Sequence, residues 1–179
     1  KKLKIAFAHQ WRAMPSIQSV LKNLSEKKYG KILRITARPK DDSRGGGEEF
    51  LLHGSHLFDL MIEIAGIPQW ASGHVLLNNN DANVSDITEG NQPVGPILGD
   101  SISAVFGFKN GVRGYFESTA NLVGTINPKI DGLGLYGLTI ECENNLLVLR
   151  EPGEVYIYPA PTILPDYENF NWDKLFIDG

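Results

Sequence analysis

The sequence predicts an α+β fold, an open and mostly antiparallel sheet with helices on one face. Three observations carry this. The two stretches with helical spacing both lie within the first 66 residues. From Gln69 to Pro159 the regular patterns alternate as strands do. Asn110-Gly111 stands between two of those strand patterns and marks a hairpin, with both turn positions expected at positive φ.

In chain order, residues 3–9 (LKIAFAH) read as a short buried strand of the kind found in parallel sheets. Pro15 suits the first turn of a helix whose buried stripe is Ile17, Val20, Leu21 and Leu24, and Gly30 ends it. KILRITARPK is a strand closed by Pro39. Residues 44–66 then form the longest helical pattern. Gly45–Gly47 lead in, and Glu48 and Glu49 suit the positive end of a helix. Phe50, Leu51, Leu57, Phe58, Met61, Ile64 and Ala65 supply one broad buried face, and Gly66 and Pro68 stop it. QWASGHVLLN is a strand, and residues 78–100, rich in Asn, Asp, Gly and Pro, read as one long loop. Two hairpins follow, one turning at Asn110-Gly111 and one at Asn144-Asn145. Pro152-Gly153 then leads into EVYIYP, giving five or six antiparallel strands. The tail from 160 to 179 reads as an extended arm. Val105 and Tyr115 alternate with Phe106, Phe108 and Phe116, so this sheet carries apolar residues on both faces. With helices for one face only, the other is a candidate partner surface.

The chemistry is concentrated on the long helix. His53, His56 and Asp59 follow one another at intervals of three, so each polar side chain stands near the next. A histidine on an apolar helix is commonly a hydrogen-bonded core residue. Three polar groups together instead suggest a pocket wall, because buried imidazoles and carboxylates cost free energy unless paired, and imidazole moves protons near neutral pH. A metal site is not expected, since the i, i+3 histidines lack the i, i+4 spacing of zinc helices. The 179 residues suffice for a domain with a core, and 42% hydrophobic with 21% charged residues is ordinary for a globular protein. A net charge of −4 disfavours nucleic acid and anionic membranes as partners. The single cysteine, Cys142, excludes an internal disulfide and a cysteine zinc site and reads as a small buried thiol. No apolar run approaches a membrane span, and the N-terminal residues lack a signal-peptide pattern, so a cytoplasmic location is expected.

Several stretches, in this order, resemble the second half of an oxidoreductase of the Gfo/Idh/MocA family. They are KIAFAHQWRAMPSIQSVL, YGKILRITA, GGGEEFLLHGSHLFDLMIEIAG, DSISAVFGFKNGVRGYFES and LGLYGLTIECENNLLVL, spanning residues 3 to about 158. The resemblance implies that residues 1–12 are the last strand of a missing Rossmann domain. Residues 13–159 would form a C-terminal substrate and oligomerisation domain, and 160–179 an extended tail. It implies NAD or NADP in the parent protein, with none bound to this stretch alone, a small-molecule sugar or polyol as substrate, and a homo-oligomer formed through the open sheet face. By the same resemblance His56 is the catalytic histidine, Asp59 a substrate contact and Arg12 the arginine facing cofactor or substrate. His53 and Arg38 are further candidate substrate contacts.

The sequence departs from the family's pattern in three ways. Leu52 stands where the family places an aspartate, and leucine can neither accept a proton nor hold an imidazole. The Glu-Lys-Pro motif and any Gly-x-Gly-x-x-Gly loop are absent, and Gly45–Gly47 followed by two glutamates would repel a phosphate. The alternative reading is a non-catalytic sugar- or cofactor-binding regulator of the same fold.

Overall fold

The computed structural model describes residues 3–4, 6–122, 136–151, 153–159 and 173–175. After a 3₁₀ turn at Gln10–Ala13 come α1 (Pro15–Ser25), β1 (Ile32–Arg38), α2 (Gly47–Leu51), α3 (His53–Ala65) and β2 (Pro68–Leu77). The two-residue strands β3 (Asn80–Asp81), β4 (Thr88–Glu89) and β5 (Pro96–Ile97) are followed by β6 (Ser101–Phe108), β7 (Arg113–Thr119) and β8 (Gly137–Cys142). The last strands are β9 (Asn145–Arg150), β10 (Glu154–Pro159) and β11 (Asp173–Leu175). Nine strands form one sheet in the order β11-β10-β9-β8-β1-β7-β6-β2-β3, and β4 pairs with β5 separately. The α+β class, with an open and mostly antiparallel sheet, is as the sequence predicts.

The sheet is antiparallel except at its centre. There β1 runs parallel to β7, with Ile35 opposite Gly114, and antiparallel to β8, with Ile35 opposite Ile140. Alternation then decides the faces. Ile35, Ala37, Phe116, Leu138, Ile140, Leu147, Leu149 and Val155 are buried on one face with Ile17 and Val20 of α1 and Leu57, Leu60 and Met61 of α3. Phe50 of α2, Phe58 of α3, Phe106 and Phe116 form an aromatic cluster, with ring centroids 4.8–5.6 Å apart. Arg34, Tyr115, Val105 and Trp70 lie on the opposite face, where no helix of the described residues sits and Trp70 is 47% exposed. Cys142 is buried, which pushes its thiol up to about 11.

Four expectations are corrected. Among residues 3–9 the described ones form no strand, and Leu3 and Phe7 are exposed; none of the described strands pairs with them. The single long helix is two. Leu52 leaves helical geometry (φ −78°, ψ −95°), and its carbonyl accepts from the Ser55 amide at 3.3 Å and the Ser55 hydroxyl at 2.7 Å, so the second helix restarts there. The Asn110-Gly111 hairpin forms, but only Gly111 takes positive φ (85°). The Gly111 amide donates to the Phe108 carbonyl and the Phe108 amide to the Val112 carbonyl, both at 3.1 Å, a type I turn closed by a glycine bulge rather than a type I′ turn. The long loop contains β3, β4, β5 and a 3₁₀ turn at Val84–Asp86, capped by Asn83. The tail after Pro159 falls outside the described residues apart from β11, which pairs antiparallel with β10.

Candidate functional site

Asp59 and Glu63 stand one turn apart on α3, and both receive Arg12 from the 3₁₀ turn. Its Nε donates to Asp59 Oδ2 at 2.8 Å, its Nη2 to Asp59 Oδ1 at 2.7 Å and to the Asp59 carbonyl at 3.1 Å, and its Nη1 to Glu63 Oε2 at 2.6 Å. This two-pronged geometry is the strong form of an arginine–carboxylate pair. It ties the segment before α1 to α3. His9 comes with it: its Nδ1 is 3.2 Å from Asp59 Oδ1, and its ring meets the edge of His56 at 5.2 Å.

His53 opens α3. Its Nδ1 lies 2.9 and 2.8 Å from the two carboxylate oxygens of Glu49 on α2. Glu49 is fully buried, and Arg44 Nη2 stands 3.4 Å from it. A buried carboxylate is costly without partners, and here an imidazole and a guanidinium supply them. Arg44 also holds Asp42, whose carboxyl is kept below the usual range by that hydrogen bond. The His53 ring packs edge-on against Tyr136 at 5.3 Å, and Tyr136 packs on Trp11 at 5.2 Å. Burial, and then Glu151 and Glu49, push the Tyr136 phenol upward, so it stays protonated. Lys40 lies over the Tyr136 ring at 5.3 Å and pairs with Glu151 at 3.1 Å.

His56 sits between the other two histidines, its ring 6.5 Å from that of His53. Its pKa is lowered, first by burial and then by the charges of His9 and His53, while Asp59 and Glu151 act the other way. Neutral imidazole is therefore its form at neutral pH. His56 Nδ1 is the one side-chain polar atom among the described residues that is buried without a hydrogen-bond partner. No hydrogen bond to Nε2 of His9, His53 or His56 is formed among the described residues.

The structure thus brings Arg12, His53, His56 and Asp59 together. Arg38 is not part of this cluster. Alternation along β1 puts it on the face of Arg34 and Thr36, opposite Ile35 and Ala37, and its Nε donates to the buried Asp41 at 2.7 Å. Arg44, Glu63 and Tyr136 are not marked by the sequence pattern, nor are Glu49 and His9. Glu49 was read as a helix-end charge, although its spacing of four before His53 was the available signal. His9 sits in a stretch read as a strand, and nothing in that pattern marked it. Among the described residues no group of three His, Cys, Asp or Glu stands close enough to hold a metal ion. No helix among them is long and apolar enough to cross a membrane.

The Gly45–Gly47 stretch is not a phosphate-binding loop. A Cβ on Gly45 would lie 2.2 Å from the Ala120 amide nitrogen, on Gly46 2.5 Å from the Asp100 carbonyl carbon, and on Gly47 2.4 Å from the Leu98 carbonyl oxygen. These glycines serve close backbone packing. Glu48, 1% exposed, accepts from the Gln92 amide at 2.6 Å and Asn91 Nδ2 at 2.9 Å, which leaves no phosphate cradle there.

No family model and no curated protein matches the chain. Solved structures match nearly all of it. An oxidoreductase domain protein from Kribbella flavida aligns over 94% of this chain and 45% of its own, with 18% identity and a TM-score of 0.60. Levoglucosan dehydrogenase in complex with NADH and levoglucosan aligns over 95% and 46%, with 16% identity and a TM-score of 0.62. UDP-N-acetylglucosamine 3-dehydrogenase from Acidithiobacillus ferrooxidans aligns over 99% and 48%, with 12% identity and a TM-score of 0.59. At such identities the likeness is one of fold, and the chain spans less than half the length of each. The fold of this chain is shared with part of each of these oxidoreductases.

The electrostatics of His56 can be read by NMR titration of its ring protons. The expected midpoint lies below the ordinary histidine value of about 6.5, so His56 gains its proton only at more acidic pH. His9→Gln removes one lowering charge and is expected to move that midpoint upward. A midpoint at or above the ordinary value would contradict the assignment.

Proposed function

We propose that this chain is the substrate-side and oligomerisation domain of a nicotinamide-dependent oxidoreductase acting on a hydroxyl of a sugar or polyol, with His56 as the general base. The observation that carries the reading is a half-buried imidazole whose pKa is lowered by burial, flanked by two more imidazoles. The fold it shares with two sugar dehydrogenases supports it.

Oxidising an alcohol removes a proton from oxygen and a hydride from carbon. His56 accepts the proton on Nε2. A base that is neutral at working pH and within about 3 Å of the hydroxyl is what this step needs. The imidazolium so formed is favoured by the charges of Asp59 and Glu151. Asp59 is already engaged by Arg12 and His9, so its part here is to hold those groups and to compensate charge. The hydride acceptor would be a nicotinamide, whose phosphates the tightly packed Gly45–Gly47 stretch would not cradle.

A second reading, sugar binding without turnover, is favoured by one observation. Asp59 and Glu49 are engaged by His9 and His53, Glu151 pairs with Lys40, and none of them hydrogen-bonds His56. Activity of the full-length protein separates the two. For an enzyme, His56→Gln is expected to reduce kcat/KM for sugar oxidation by about 10²–10⁴-fold. Sugar binding without NADH formation by the unaltered protein would favour the regulator, and an active enzyme keeping full rate in His56→Gln would remove His56 from the mechanism.

The sheet face bearing Trp70, Val105 and Tyr115 beside Arg34 and Arg113 favours self-association, because no helix among the described residues covers it and Trp70 is exposed. Sedimentation is expected to show an oligomer that Trp70→Glu weakens. A strict monomer at high concentration would contradict this.

A further inference from the structure

Two of the three histidines carry a carboxylate on Nδ1, but the two pairs differ. Asp59, which faces His9, also serves Arg12. Glu49 is fully buried and offers both oxygens to one imidazole nitrogen, His53 Nδ1. It is set by α2, on the far side of the break at Leu52, and Arg44 fixes it from behind. The Glu49 amide donates to the Arg44 carbonyl at 3.0 Å, so carboxylate and backbone are held by the same residue. The His53 ring is held on its flank by Tyr136.

We propose that Glu49 is a positioning residue for ligand recognition. It commits the Nδ1 proton of His53, fixes the ring, and leaves Nε2 as the nitrogen that meets a ligand hydroxyl. The proposal rests on the reading of the site as a sugar or polyol site. It adds a specificity element that the motif at His53, His56 and Asp59 does not contain. A carboxylate acceptor selects the tautomer protonated on Nδ1. In neutral His53, Nε2 is then an acceptor only, suited to the O–H of an alcohol. His56 has no carboxylate on its Nδ1, so its tautomer is not set in this way.

The test is histidine-side-chain ¹⁵N–¹H correlation NMR on the ¹⁵N-labelled chain at a pH where His53 is neutral. Unaltered His53 is expected as the Nδ1–H tautomer, with Nε2 at an unprotonated shift, and Glu49→Gln is expected to give a mixture of tautomers. An Nε2–H tautomer in the unaltered chain overturns the proposal, and so does a folded Glu49→Gln chain with an unchanged tautomer. Should Glu49→Gln not fold, the unaltered spectrum alone still decides. The same samples titrated with levoglucosan are expected to shift His53 Nε2, with binding about threefold to tenfold weaker in Glu49→Gln. Binding that leaves His53 Nε2 unmoved overturns the recognition role. Absence of any levoglucosan effect on His53 and His56 counts against the sugar-site reading, a result separable from the tautomer outcome.

Discussion

Helix α3 seats on the sheet through Leu57, Leu60 and Met61 and through the aromatic contact of Phe58 with Phe106 and Phe116. Those contacts fix its rotation, because a close-packed interface tolerates little turning. With the apolar stripe committed to the sheet, the stripe of His53, His56 and Asp59 falls at its margin. From there Arg12 can reach Asp59 and Glu63, and Trp11 can pack on Tyr136. The polar cluster is therefore a consequence of core packing, assembled where the helix face leaves the hydrophobic layer.

Much of this was legible in the sequence, for local reasons. The stripe of α1, the alternation of β6 to β10 and the polar row on α3 are all periodicities within one element. The rest depends on contacts or geometry that periodicity does not encode. β1 pairs with β7 across nearly eighty residues, so its place at the centre of the sheet could not be read from its own pattern. The break at Leu52 depends on a dihedral angle and on the Ser55 hydroxyl, while the apolar period runs through it undisturbed. Glu49 resembles any acidic residue at a helix start until the fold buries it against His53. His9 needs a neighbour from α3 before it means anything.

The site that results divides its charges. Arg12, Asp59 and Glu63 form a network that holds two chain segments together, and Asp42, Arg44, Glu49 and His53 form another. Between them stands His56, with desolvation outweighing the nearby carboxylates and keeping it neutral. Under the proposed function, a neutral imidazole between two engaged networks would serve as proton acceptor without a dedicated carboxylate.

The central claim is that the histidine margin of α3 is one wall of a sugar-binding cleft. The most direct test is a crystal structure of the protein soaked with levoglucosan. The account expects a hydroxyl oxygen within about 3.2 Å of His56 Nε2, with another ligand oxygen at His53. Sugar bound only on the open sheet face, or nowhere along α3, would contradict it.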